Sequence, residues 1–135
     1  MSDLTIPVSP GELLDKITIL RLKSQRIQDS AKLSNVRLEL DLLQHTWETL
    51  GPAAACVAAE EQALQQVNGQ LWEIEDQIRA KEAARSFDAE FIELARAVYH
   101  RNDERAALKK RVNLKLGSRI VEEKSYQAYG RQFSP

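Results

Sequence analysis

SPGELLDKITILRLKSQRI, residues Ser9 to Ile27, is the stretch whose reading decides the fold. Ser9 is a strong N-cap, Pro10 suits the first helical position, and Glu12 three residues after the cap completes a capping-box pattern. Wound at roughly 100° per residue, the segment sets Leu13, Ile17, Leu20 and Ile27 on one face, with Leu14 beside them. Leu22 and Ile19 fall on the opposite side. A surface helix carries a single apolar stripe, so apolar groups on several sides predict contact on several sides. The segment reads as a central helix, with Asp15, Lys16, Arg21, Lys23 and Arg26 set between its hydrophobes. Either the rest of the chain or a second copy must pack around it.

Working outward, Leu4 to Val8 is a short extended lead. The pattern predicts helices over about 10–28, 35–50, 53–84 and 88–117, with an irregular tail over 118–135. In the second helix Val36, Leu40, Leu43, Trp47 and Leu50 form one face, widened by Leu38 and Leu42. Gly51-Pro52 ends it. The third carries Val57, Leu64, Val67, Leu71, Ile74 and Ile78 at near-heptad spacing, which is coiled-coil-like. Gly69 in its middle reads as a tolerated surface glycine rather than a point of close helix approach. The fourth begins at the Asp88 cap, with Phe87 and Ile92 placed for a hydrophobic staple. Its stripe is Phe91, Leu94, Ala95, Val98, Leu108, Val112 and Leu116, closed by Gly117-Ser118. Ile120, Val121, Tyr126, Tyr129 and Phe133 are available to dock the tail on the bundle. Short connections between long amphipathic helices predict one all-α domain over 1–135, an up-and-down antiparallel bundle of about four helices, two of them long.

Bulk properties narrow the function classes. The 135 residues fit one domain, and a net charge of −1 with interspersed signs argues against nucleic-acid binding. No apolar run reaches the ~18 residues of a membrane span. MSDLTIPVSP has neither the basic region nor the apolar core of a signal peptide, so a cytoplasmic protein is expected. The single cysteine, Cys56, reads as a small apolar filler in an alanine-rich turn. His45 and His100 are too isolated for a metal site, His45 reading as a surface or half-buried side chain. The G-x-S-x-G, phosphate-loop and H-E-x-x-H signatures are absent. No catalytic residue, metal or cofactor is expected.

Two constellations stand out. Asn68, Trp72, Glu75 and Arg79 form a polar strip on the third helix at i, i+4, i+7 and i+11. On the fourth helix Arg105 stands one heptad from both Val98 and Val112, where an apolar residue belongs. Asn102 and Lys109 flank it, with Tyr99, Asp103 and Asn113 close by. An unpaired buried charge is costly, so this cluster needs an explanation. The helix end projects into water; or the charges pair with Glu12, Asp15, Glu75 or Asp76; or they line a pocket for an anionic ligand. The candidate polar site is therefore Glu12, Asp15, Trp72, Glu75, Arg79, Tyr99, Asn102, Arg105 and Lys109. Arg105 is expected to bond one of the four carboxylates.

The blocks SPGELLDKITILRLKSQRI, VNGQLWEIEDQIR, FDAEFIELARAVYHRNDERAALKKRVN and GSRIVEEKSY resemble an uncharacterised family of small helical bacterial proteins. The resemblance runs from Ile6 to Tyr126. It implies a helical bacterial protein or module, in the neighbourhood of glycosyltransferase and surface-polysaccharide systems, and it assigns no site residue. Four functions compete. An interaction or assembly module, as a homodimer or with a partner protein, is favoured by the many-sided first helix and the heptad-like stripes. A small helical enzyme acting by positioning and electrostatics, in the manner of helical mutases, is a second. A binding protein for an anionic sugar, nucleotide or carboxylate is a third. Nucleic-acid binding is the least supported.

Overall fold

The computed structural model describes residues 3–129. Its elements are α1 (Pro10–Arg26), α2 (Ser30–Glu48), a 3-10 segment (Gly51–Val57), α3 (Ala58–Ala83) and α4 (Ala89–Lys115). All regular structure among the described residues is helical, as the hydrophobic periodicity predicts. α3 and α4 are 26 and 27 residues long, hence roughly 40 Å each. They form an antiparallel hairpin: Lys115 at the end of α4 pairs with Glu60 at the start of α3, 2.6 Å apart.

α1 is the central helix. It touches α2, α3 and α4, whereas α2 touches α1 and the 3-10 segment but neither α3 nor α4. The molecule is therefore layered, with α2 on one side of α1 and the α3/α4 hairpin on the other. This explains a helix with hydrophobes all round. Leu13, Leu14 and Ile17 meet Trp47, Val57, Leu64, Val67, Leu108 and Val112 in one core, and Leu20 and Leu22 are buried as well. Most of the apolar residues of α1 are thus covered from within the chain, while Ile19 and Ile27 stay half-buried.

The long stripes are only partly buried. α1 reaches along α3 as far as Trp72 and Glu73, which Arg26 contacts. Beyond that point Ile74, Ile78, Leu94 and Val98 are half-buried in a two-helix arm. Likewise α2 buries only Trp47 fully, and the widening residues Leu38 and Leu42 are 63% and 50% exposed.

Local chemistry corrects several boundaries. α2 starts at Ser30, not near 35, because the Asp29 carboxylate accepts the Lys32 N–H at 2.9 Å and no breaker follows. Residues 51–57 wind as a 3-10 turn that drives Val57 fully into the core, and α3 begins only after it. Cys56 on that turn is exposed rather than a filler. The capping box is half formed: Ser9 Oγ accepts the Glu12 N–H at 3.2 Å, while the Glu12 carboxylate goes to Lys109. Phe87 and Ile92 are both more than half exposed. Phe87 sets its ring edge-on to Phe91 instead of making the staple.

The glycine that marks close approach is Gly11. Its N–H donates to Asn113 Oδ1 at 2.7 Å, fully inside. A Cβ there would collide with the Lys109 carbonyl oxygen. At Gly69 a Cβ would meet only Arg26 Nη2 at 3.7 Å and Leu22 Cδ2 at 3.9 Å, ordinary contacts. The tail, residues 118–129, has no regular structure and runs back over α4. Phe133 lies outside the described residues.

Candidate functional site: a cavity where three helices meet

Where α1 leaves the hairpin, a cavity of about 430 Å³ opens among three helices. Ile19 and Leu22 come from α1, Asn68, Leu71, Trp72, Glu75 and Asp76 from α3, and Asn102 and Arg105 from α4. Its volume lies in the range of small-ligand pockets. Four of the nine residues anticipated from sequence, namely Trp72, Glu75, Asn102 and Arg105, meet here. The periodicity argument found them because a helix repeats its face every three to four residues. It missed Ile19, Leu22 and Leu71, whose apolar character looked like core.

The inner wall is a buried polar network. Asn68 Nδ2 donates to Asp15 Oδ1 and to Thr18 Oγ1, each at 2.9 Å. Thr18 Oγ1 donates in turn to the Asp15 carbonyl at 2.8 Å. Both N–H groups of Asn68 are thus engaged, which leaves its carbonyl oxygen as the remaining polar group. Buried polar groups that satisfy one another in this way fix the register of α1 on α3.

Glu12, Asp15 and Lys109 form a separate cluster next to the cavity. Lys109 Nζ lies 2.6 Å from Glu12, 3.1 Å from Glu122 of the tail and 4.0 Å from Asp15. The hydrogen bond from Lys109 holds the Glu12 carboxyl below its ordinary pKa against the opposing effect of burial. Burial alone would lower Lys109, but its hydrogen bonds to Glu12 and Glu122 outweigh this and raise it.

Arg105 departs from the expectation. It forms neither a hydrogen bond nor an ion pair among the described residues. Lys109, one turn along α4, has taken Glu12 and Asp15, and Glu75 is held by Arg79 at 3.2 Å. Asp76 shares the cavity with Arg105 but does not pair with it. A cation, two amide side chains and the carboxylates of Glu75 and Asp76 therefore face a partly apolar space with the indole of Trp72 in its wall. The guanidinium of Arg26 lies over that indole, 5.5 Å from the ring centroid.

The other anticipated residues lie elsewhere. Arg79 points out to solvent, its side chain 79% exposed. Tyr99 belongs to a second cavity of about 630 Å³ between α4 and the tail. There the Tyr129 ring packs against Tyr99 and His100, at 4.9 and 5.1 Å. Its hydroxyl donates to Asp103, which also accepts from Lys124 at 2.9 Å. Burial pushes the Asp103 carboxyl up, but the bonds from Tyr129 and Lys124 prevail and hold it low. Tyr126 is 84% exposed, so only the end of the described tail is anchored by an aromatic ring. Asn102 lines both cavities.

Among the described residues no group of three or more His, Cys, Asp or Glu is placed to hold a metal ion. His45 is exposed, its Nδ1 2.8 Å from the Asp41 carbonyl oxygen, as a surface histidine would be. The N-terminus of α1 is not an anion site, since Asn113 and Ser9 accept its first N–H groups. No helix among the described residues is long and apolar enough to cross a membrane.

No curated protein and no solved structure matches the chain. A family model does, over residues 4–135, and on that match the chain belongs to the family of unknown function DUF6165.

Proposed function

We propose that the protein binds a small polar ligand in the three-helix cavity and that Arg105 receives an anionic group of that ligand. The observation that carries this reading is the guanidinium of Arg105, which lines the cavity and forms no hydrogen bond or ion pair among the described residues, Glu12 acting on it only at longer range. Of the nearby carboxylates, Glu12 is engaged by Lys109 and Glu75 by Arg79. A planar guanidinium suits a carboxylate or phosphate, and Asn68, Asn102 and Trp72 add orientation and an apolar wall. A bacterial setting beside polysaccharide-assembling enzymes, as the family resemblance implies, is compatible with such a ligand.

The test is thermal melting of the wild type and of Arg105→Met, each with and without phosphate or citrate. Ligand binding raises the melting temperature of the wild type. Arg105→Met removes that rise and leaves the free protein as stable or more so, since no partner carboxylate is stranded. A loss of free-protein stability of a few kcal/mol, the cost of breaking a buried pair, would instead show a structural ion pair and defeat the reading.

A second reading, assembly through helix faces, draws on a different observation. Leu38 and Leu42 lie one turn apart on α2 and are 63% and 50% exposed. Two-fold association is the commonest form among soluble oligomers. Sedimentation equilibrium decides it: a dimer that Leu42→Glu dissociates supports assembly, and a monomer at micromolar concentration ends it.

A further inference from the structure

Two charged groups of opposite sign face the three-helix cavity without meeting. Arg105 stands on α4 and Asp76 on α3, and neither has a hydrogen-bond or ion-pair partner among the described residues. Ile19, Leu22, Leu71 and the indole of Trp72 give the cavity its apolar surface, and Asn68, Glu75 and Asn102 complete the wall. The two groups are too far apart to form an ion pair. Both are anchored on helices whose spacing is fixed by packing rather than by their own attraction. Arg105 is on the same helix as Lys109, which Glu12 holds, and Asp76 is on the same helix as Asn68, which Asp15 and Thr18 hold. A cation and an anion that share one partly apolar cavity without pairing are complementary to a molecule with the inverse pattern.

We infer that the ligand class is zwitterionic: a carboxylate or phosphate at one end for Arg105, a hydrocarbon-rich body against Ile19, Leu22, Leu71 and Trp72, and an ammonium at the other end for Asp76. This rests on the anion-binding reading and adds the second charge and the spacer. Glu75 beside Asp76 is partly neutralised by Arg79, so Asp76 carries the assignment at that end. The arrangement discriminates by length, because only a spacer that matches the span places both charges at once. A shorter or longer chain forfeits one contact.

The test is calorimetric titration of the full chain with a homologous series of ω-amino carboxylates, 4-aminobutyrate, 5-aminovalerate and 6-aminohexanoate. The alkanoate and the alkylamine of each length serve as single-charge controls. One length is expected to bind roughly tenfold or more tightly than either of its controls, the gain that one added charge-assisted hydrogen bond supplies. Asp76→Asn should bring the amino carboxylate down to the level of the alkanoate and leave the alkanoate unchanged. Arg105→Met should bring it down to the level of the alkylamine. Asp76 is exposed at the rim, so Asp76→Asn leaves the fold intact, and its melting curve verifies this. If the alkanoate binds as tightly as the amino carboxylate and still needs Arg105, the anion site stands and the zwitterion inference falls. If no member of any series binds, or if the alkylamine alone accounts for the affinity, both readings fall.

Discussion

Replacing Gly11 by Ala adds one methyl group where α1 lies close against α4. The new Cβ would overlap the Lys109 carbonyl oxygen and lie 2.8 Å from Asn113 Oδ1. The first is backbone and cannot swing aside, so α1 must lift off α4. Overpacking of this kind costs about 1–3 kcal/mol. Lifting also stretches the buried bond from Gly11 N–H to Asn113, which is only 2% exposed and has no water to replace it. An unsatisfied buried amide costs a further ~1–3 kcal/mol. Against this stands a helix-propensity gain of at most about 1 kcal/mol. The net loss is about 1–5 kcal/mol, a large fraction of the ~5–15 kcal/mol that stabilises an ordinary domain. Gly69→Ala is the matched control, since its Cβ meets only ordinary contacts at 3.7 and 3.9 Å, and it should stabilise by roughly 0.5–1 kcal/mol. Urea denaturation followed by circular dichroism measures both. Equal stabilities for the two variants, or a Gly11→Ala protein within about 0.5 kcal/mol of wild type, would refute the packing of α1 on α4.

Three other outcomes are expected. Trp47→Ala should cost about 3–5 kcal/mol in the same assay and Trp72→Ala clearly less, because Trp47 is 4% exposed in the core and Trp72 is half-buried in the cavity wall; equal losses would contradict these placements. Arg85 closes α3 in the left-handed region at φ 52°, so Arg85→Gly should stabilise by about 1 kcal/mol, and a loss in thermal unfolding would show that its side chain makes up for the strain. Stability should fall as the pH drops from about 4.5 to about 2: a hydrogen bond from Lys109 depresses Glu12 from 4.5, and one from Lys81 takes Asp88 from 3.8 to about 2. A carboxyl depressed in the folded state contributes stability above its unfolded pKa and loses it as the pH falls through the folded one. Urea midpoints should therefore decline across this window, less steeply in Glu12→Gln at its upper end, and a flat profile would speak against both pairs.

Periodicity is the part of the fold that a sequence displays, and it carried most of the architecture. The all-round hydrophobicity of Ser9 to Ile27 marked the central helix, and Leu40, Leu43, Trp47 and Leu50 marked the inward face of α2. What periodicity does not display is where a long stripe stops being covered. Ile74, Ile78, Leu94 and Val98 carry the same pattern as Leu64 and Val112, yet α1 ends before it reaches them. The site was legible for a related reason. Arg105 broke an apolar register, which pointed to a polar interior before any contact was known. Its missing partner was not legible, because Lys109 and Arg105 are neighbours on one helix. Which of them takes Glu12 and Asp15 depends on how α1 crosses α4. That crossing is set by Gly11 and Asn113, 102 residues apart in the chain, and no local pattern links them.

The claim that an anion enters the three-helix cavity at Arg105 is tested most directly by the two indole N–H signals in a proton–nitrogen correlation spectrum. Citrate is titrated in at constant ionic strength, with chloride as the balancing anion. Trp72 lines the cavity and Trp47 lies in the core on the far side of α1, so one reports the site and the other serves as an internal control. The account predicts a saturable shift of the Trp72 indole and of the Asn68 and Asn102 side-chain amides, with Trp47 unmoved, all of it lost in Arg105→Met. A Trp72 signal that does not respond to citrate, or one that responds equally in Arg105→Met, would contradict it.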